Sequence, residues 1–269
     1  MQPLSPAQQK SLASLLQYPL GEAGRAYLEK RGLAEVASSL RLGEVPSAPA
    51  RAEHRRYAGR LVIPSFSARG TVVDMALRCM AHDDCGSTEL WRDKDGNPRY
   101  CRKYEFMPGI SKRLYGLDDI RNAGSTIHIA EGHPDRMTLK ACGLHAVGVA
   151  GVNAWKDYHK RLFQGFETVY FWQQSDDNGQ SAKLGERIRL GLSAVSVIMV
   201  SEGEDLNSFY VKHGKQAVLD LLDTGAGTDP AAPWGGAPQE GETEDDGQDD
   251  HPGADLGWDV VPSDPPPPF

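Results

Sequence analysis

Three short apolar runs, each ending in acidic residues, constrain this chain more than any other feature. Ile127-His128-Ile129-Ala130 runs straight into Glu131 and Gly132. Val169-Tyr170-Phe171-Trp172 is followed by Gln174, Asp176, Asp177 and Gly179. Val195 to Val200 is followed by Glu202, Glu204 and Asp205. β-Branched and aromatic residues dominate the runs, and helix-like segments separate them. Such alternation predicts a parallel sheet with helices on both faces. The carboxyl ends of its strands form the edge where open α/β sheets bind ligands. Carboxylates converging there suit a hard, oxygen-seeking cation such as Mg²⁺.

The segments between the runs support this reading. Strand 127–130 leads into a helix from Pro134 to Cys142 that Gly143 closes. A short strand at 147–149 and a helix from Ala154 to Phe163 follow. Further helices are expected over Ser181–Leu192, Phe209–His213 and Lys215–Leu222. Gly132 lets the chain turn tightly and approach a ligand, and Asp135 falls in the first helical turn after it. Glu131 can serve as a general acid or base if neighbouring carboxylates raise its pKa. Asp176 and Asp205 would hold Mg²⁺, which stabilises charge developing on phosphates. Each acid alone reads equally well as a helix cap or a solvated loop residue; three strands delivering acids to one edge do not.

The stretch ahead of this sheet has a different pattern. Leu12, Leu15 and Leu16 share a face of a helix beginning at Pro6, and a second helix over 21–31 ends before Gly32. Ala34–Leu40 reads as a third, short helix. Arg51, Arg55, Arg56 and Arg60 cluster in a Pro- and Ala-rich connector, as a phosphate-contacting patch or a solvated face. LVIPSF and TVVDMALRCM then read as strands, and 89–104 as a hairpin turning at Asp95-Gly96-Asn97. In that hairpin Trp91, Arg92, Lys94, Arg99, Tyr100, Arg102, Lys103 and Tyr104 interleave rings with cations, a mixture that suits single-stranded nucleic acid as well as it suits an ordinary charged surface.

Cys79, His82 and Cys85 stand three residues apart, with Cys101 further on. This is not the paired C-x2–4-C arrangement usual for zinc. Cysteines facing each other across a hairpin are the plainer expectation, and zinc is not expected. Four cysteines in a chain of 269 residues make no disulfide framework, which favours a reducing cytoplasm. No run approaches the ~18 apolar residues of a membrane span, and the N-terminus lacks a signal-peptide pattern.

The net charge of −8 hides a split. Residues 229–269 carry eleven Asp and Glu and no Lys or Arg, leaving the rest of the chain at +3. A mildly basic body can meet nucleic acid. The Gly-, Pro- and acid-rich tail cannot bury enough apolar area to order itself and is expected to be disordered.

EGHPD at 131–135, SDDNG at 175–179 and EGEDLNS at 202–208 resemble the three motifs of a Toprim domain. Residues about 10–222 resemble the RNA-polymerase core of DnaG-type bacterial and phage primases. RAYLEKRGL (25–33), RLG (41–43), GRLVIPSFSARGTVVDMALR (59–78), RKYEFMPG (102–109) and LYGL (114–117) follow the family's order. The resemblance implies three parts: a helical and basic strand-rich α+β subdomain over 1–122, a Rossmann-like Toprim sheet over 123–222, and the tail over 223–269. It implies a nucleotidyltransferase that makes short RNA primers from ribonucleoside triphosphates on single-stranded DNA, with Mg²⁺ or Mn²⁺. Glu131 matches the catalytic glutamate, and Asp176 and Asp205 match metal-binding acids. Arg78 and Lys103 match basic residues that hold nucleotide or template. Arg60, Tyr104, Gly132, Asp135 and Gly179 are expected to line the same nucleotide and template path.

Four departures stand against the pattern. Gln174 occupies the place of the first aspartate of the second motif, with Asp177 a residue late to replace it as a metal ligand. Asn207 stands where some members carry an acid. Neither a zinc ribbon nor a helicase-binding domain is found, so an isolated phage-like core is expected, with a replicative helicase as a possible separate partner. The acidic tail ending Pro-Pro-Phe269 resembles the tip of single-stranded-DNA-binding proteins that docks on partners. Two other functions remain open: a catalytically weakened Toprim protein that binds single-stranded DNA and recruits replication partners, and a Toprim nuclease, which the basic strand region disfavours.

Overall fold

The computed structural model describes residues 4–82, 85–92, 94–151, 154–174, 179–192, 194–200 and 204–225. Asp176, Asp177, Glu202 and the acidic tail lie outside the described residues.

The chain opens with helix α1 (Pro6–Leu15), which begins where expected because Ser5 caps it. Ser5 and Gln8 close a reciprocal capping box that satisfies two end N–H groups. Helix α2 (Glu22–Lys30) follows and ends before Gly32, and Ala34–Val36 is a single 3₁₀ turn. Four strands then pair antiparallel in the order β1 (Gly43–Glu44), β2 (Arg60–Phe66), β3 (Val72–Cys79), β6 (Tyr104–Phe106). Side chains alternate across a strand, and both faces of this sheet are covered. Leu61, Ile63 and Ala76 meet α2 and the 3₁₀ turn, while Val62, Met75 and Leu77 meet Leu12 and Leu15 of α1. Pro64 is tolerated in β2 because β1 pairs only with Leu61 and Val62, so the missing N–H costs no ladder bond on that side. Between β3 and β6 the chain leaves the sheet as a separate hairpin, β4 (Glu89–Arg92) and β5 (Pro98–Tyr100).

The second sheet is all parallel. Strands β7 (Thr126–Glu131), β8 (Ala146–Val149), β9 (Thr168–Gln173) and β10 (Val195–Met199) lie in the order β10-β9-β7-β8. The chain steps from β7 outward to β8, then returns to the other side of β7 for β9. The order therefore reverses between β7 and β9, and a crevice opens at the carboxyl ends of those two strands. One face buries Ile127, Ile129, Val169 and Phe171 under α4 (Gln180–Arg189) and the Trp155–Phe163 segment. The other buries Ala130, Trp172 and Ile198 under α3 (His133–Ala141) and α5 (Leu206–Gly225). Where a helix over Ala154–Phe163 was expected, only a 3₁₀ turn over Asp157–Leu162 forms. The two expected C-terminal helices are one element kinked at Gly214, whose φ of 83° breaks the helical path.

Helix α3 is shared between the sheets. Met137 and Ala141 pack into the antiparallel sheet's core, and Leu139 and Cys142 into the parallel sheet's core. At its start, buried His133 lies within ring contact of Tyr104, Phe106 and Tyr115. This helix sets β6 beside the carboxyl edge of β7. A buried ion cluster anchors its far side. Asp119 accepts from Arg136 Nη2 at 2.8 Å and from Lys140 Nζ at 2.6 Å, and Arg136 Nε also donates to the Ala146 carbonyl.

Candidate active site

Glu131 ends β7 and lines an open cavity of about 600 Å³ with Ser111, Lys112, Lys156 and Tyr158. Gly132 follows at φ 91°, a backbone that only glycine adopts freely, and a Cβ there would sit 3.6 Å from Asp135 Oδ2. The turn feeds directly into α3, so Asp135 returns beneath the strand end. It is the fixed point of the site. Gln174 Nε2 donates to Asp135 Oδ2 at 2.7 Å, and the Asn207 backbone N–H donates to Asp135 Oδ1 at 3.0 Å. One buried carboxylate thus joins the segments following β7, β9 and β10.

Burial pushes Asp135 up to about 8, with Asp205 and Glu131 adding repulsion and the Asn207 and Gln174 hydrogen bonds opposing it. The fold has therefore set Asp205 and Glu131 close enough to oppose ionisation of Asp135. That donor set fits a divalent cation, which relieves the repulsion and takes hard oxygen ligands. Asp135 has both oxygens engaged by protein donors. Glu131 and Asp205 are the described carboxylates that could serve as ligands. Asp205 also caps α5, accepting from the Ser208 N–H at 2.6 Å through Oδ1.

Gln174 engages its side-chain nitrogen within the protein. Its amide points at Asp135, and its backbone N–H donates to Ser181 Oγ at 3.0 Å. Asn207 is likewise structural. It is 1 % exposed, accepts from Arg31 Nη1 at 2.9 Å, and donates to the Arg31 carbonyl and Thr138 Oγ1 at 3.0 Å each. An acid at 207 would keep the bond from Arg31 and lose the two that Nδ2 donates.

A basic group faces these acids from the antiparallel sheet. Arg78 on β3 is 8 % exposed, and its Nε and Nη1 are buried with no hydrogen-bond partner. Its guanidinium lies over the rings of Tyr104 at 5.0 Å and Tyr27 at 5.8 Å, and Arg31 lies over Tyr27 at 5.1 Å. Burial, then the charges of Arg78 and Arg31, pull Lys103 below the ordinary lysine range, while Asp205 opposes them. Arg78, Arg31 and Lys103 therefore form one positive cluster next to Asp205.

The structure brings together Glu131, Gly132, Asp135, Asp205, Arg78, Lys103 and Tyr104 among the residues singled out from sequence. Arg60 stands apart from them: it is buried and donates to the carbonyls of Leu77 and Arg102, bracing the sheet. Gly179 takes up a left-handed conformation at the start of α4. Arg31, Lys112, Lys156 and Tyr158 went unread, since nothing in helix-end or loop residues tells which sheet edge they will reach. The Cys79, His82, Cys85 and Cys101 expectation needs correction. These residues do not merely face one another across a hairpin; all four ligand atoms lie within 4.8 Å of each other.

The antiparallel basic sheet, the shared helix and the acidic parallel sheet together make the fold of the DnaG primase catalytic core. A solved DnaG primase catalytic domain bound to single-stranded DNA superposes with a TM-score of 0.59 over 81% of this chain and 80% of that one, at 22% identity. No protein-family model matches the chain. It belongs to the family of the gene 57 protein of Mycobacterium phage D29, to which it is 33% identical over 128 residues, 48% of this chain and 80% of that protein. It is also 28% identical over 181 residues to a DNA primase of Clostridium acetobutylicum, 64% of this chain but 28% of that protein, so it spans a minor part of that relative's length.

Proposed function

We propose that this chain is a primase core, an RNA polymerase that joins ribonucleotides on a single-stranded DNA template by metal-dependent nucleotidyl transfer. One observation carries the reading: the acidic edge at the β7/β9 reversal faces a cationic cluster of buried Arg78, half-buried Arg31 and exposed Lys103 across the start of α3. Triphosphate needs cations on one side and a metal on the other. The guanidinium of Arg78 hydrogen-bonds toward Tyr104 and Tyr27, and its Nε and Nη1, which have no partner, are ready for phosphate oxygens. Glu131 and Asp205 would hold Mg²⁺ or Mn²⁺, with Asp176 or Asp177 as further candidates from outside the described residues. The metal would neutralise phosphate charge and favour ionisation of the attacking hydroxyl. In the reaction the 3′-hydroxyl oxygen bonds to the α-phosphorus, pyrophosphate leaves, and Glu131 is placed to take the hydroxyl proton. Lys112, Lys156 and Tyr158 line the open side of the cavity, where template or primer would run.

Gln174 favours a second reading, a weakened Toprim protein that binds single-stranded DNA without synthesis, because it replaces an acid at the centre of the site. Primer synthesis on single-stranded DNA with Mg²⁺ or Mn²⁺ decides between them. The primase reading expects oligoribonucleotides from the wild type and a loss of at least about 100-fold in Glu131→Gln. DNA binding that survives both EDTA and Glu131→Gln, with no product under any metal, would establish the second. Cleavage of the DNA in the same assay would point to a nuclease.

A further inference from the structure

Outside the acidic edge, the base of the β4–β5 hairpin gathers three thiols and an imidazole. We infer that Cys79, His82, Cys85 and Cys101 form a structural zinc site that staples this hairpin to the antiparallel sheet. Cys101 Sγ lies 3.5 Å from Cys79 Sγ and 3.5 Å from Cys85 Sγ. His82 Nδ1 lies 3.4 Å from Cys79 Sγ and 3.3 Å from Cys101 Sγ. A tetrahedral ion with Zn–S about 2.3 Å and Zn–N about 2.0 Å requires S···S near 3.8 Å and S···N near 3.5 Å. Those four of the six ligand distances already stand within a few tenths of an ångström of that arrangement, and all six lie within 4.8 Å.

The surroundings match a metal better than a chance cluster. The backbone N–H groups of Ala81 and His82 point at the Cys79 sulfur, as a thiolate requires of its neighbours. Cys79 and Cys101 are buried, so coordination would close the site from solvent, as structural zinc sites do. The placement explains the need. A two-stranded hairpin is marginal alone, and among the described residues β4 and β5 pair only with each other. Cys79 sits where the chain leaves the sheet, and Cys101 sits where it returns. Their strands are already joined by the Cys79 N–H donating to the Lys103 carbonyl at 3.0 Å. Closing this loop with a metal fixes Arg78 and Lys103, which adjoin the ligands at each end. On binding, three thiols release three protons, and Zn²⁺ with three thiolates and a neutral imidazole leaves a net charge of −1. Arg78 is close enough to act on Cys85 electrostatically and offsets it.

Metal analysis of the full chain, purified under reducing conditions without chelator, tests the site. About one zinc per chain is expected, and the Co²⁺-substituted protein should show thiolate-to-cobalt charge transfer with the d–d bands of a tetrahedral centre. Cys101→Ser and Cys79→Ser should lose most of the metal, while Cys142→Ser keeps it. Should the serine variants fail to fold, limited proteolysis of the wild type replaces them: chelator should expose 80–100 to cleavage, and added zinc should protect it. A protein with no zinc after supplementation, metal content unchanged in both serine variants, or a mass lighter by two hydrogens with a disulfide among these cysteines would overturn the inference.

Discussion

At the residue scale the decisive side chain is Asp135, not the acids that the motifs advertise. It is fully buried, yet it carries two hydrogen bonds that hold the loops after β9 and β10. Gln174 supplies one of them and brings no charge. Gln174→Asp would set a second carboxyl group against Asp135 and remove a hydrogen bond worth about 0.5–1.5 kcal/mol. The variant should melt lower than the wild type in EDTA and recover in Mg²⁺, so its metal-induced Tm rise exceeds that of the wild type. Equal rises in the two proteins, read by differential scanning calorimetry, would mean that the metal is held away from this position. Histidines set a second residue-level effect. Burial pulls His128 down to about 4, with His145 adding to it, and burial pulls His159 down to about 4. The unfolded chain protonates both near pH 6.5. Below that pH it binds protons that the folded chain refuses, so this stability is complete above pH 6.5 and drains away toward pH 4. Each histidine contributes at most about 1.4 kcal/mol per pH unit. Asp135 and Asp74, held up at about 8 and about 6, work the other way, so the test is a difference: between about pH 7.5 and 4.5 the urea midpoint of His128→Leu should fall less, or rise more, than that of the wild type, and parallel curves would discount His128.

At the element scale, α3 does the joining. Its apolar residues belong to two cores, its first residue meets three aromatic rings of the basic subdomain, and its polar face is tied to Asp119. Although burial pushes the Asp119 carboxyl up, Arg136 and Lys140 outweigh it and hold the pKa below the usual range. Arg136 is 1 % exposed. Asp119→Asn would strand its guanidinium without a counter-charge, a loss of about 3–5 kcal/mol. Denaturant unfolding measures this directly. Since the cluster lies behind the site, whatever fraction stays folded should keep the wild-type affinity for nucleotide. A destabilisation below about 1 kcal/mol would mean that the pair acts like an exposed one.

At the scale of the whole molecule, function rests on two sheets of opposite chemistry meeting at one edge. The antiparallel sheet presents Arg78 and Lys103, and the parallel sheet presents carboxylates. Binding of single-stranded DNA should therefore weaken steeply with salt. If Lys103 contacts a backbone phosphate, Lys103→Ala should reduce the log–log salt slope by about 0.7 as well as weaken binding. Fluorescence anisotropy across a salt series measures both. Weaker binding with the slope intact would assign Lys103 to the triphosphate instead of the template.

Much of this architecture was legible in the chain itself, because it rests on local physics. Ser5 and Gln8 announce a helix start, Gly96 announces a hairpin turn, and apolar runs broken by helical spacing announce a parallel sheet. Glu131 and Asp205 could be picked out because they follow strand ends, whereas Arg78 and Lys103 were carried by the resemblance to primase cores. What the local pattern could not carry was anything decided by contacts between residues far apart in the chain. Gln174 reads as a damaged metal ligand until Asp135 is seen beneath it, 39 residues away in the chain. Asn207 reads as a missing acid until Arg31, 176 residues away, takes its amide. Cys101 reads as a cysteine facing another across a hairpin until the fold sets it beside Cys79, Cys85 and His82 together. Spacing along the chain records helices, strands and turns. A hydrogen-bonded carboxylate or a tetrahedral ligand set depends on where strands end in space, and only the packed sheets decide that.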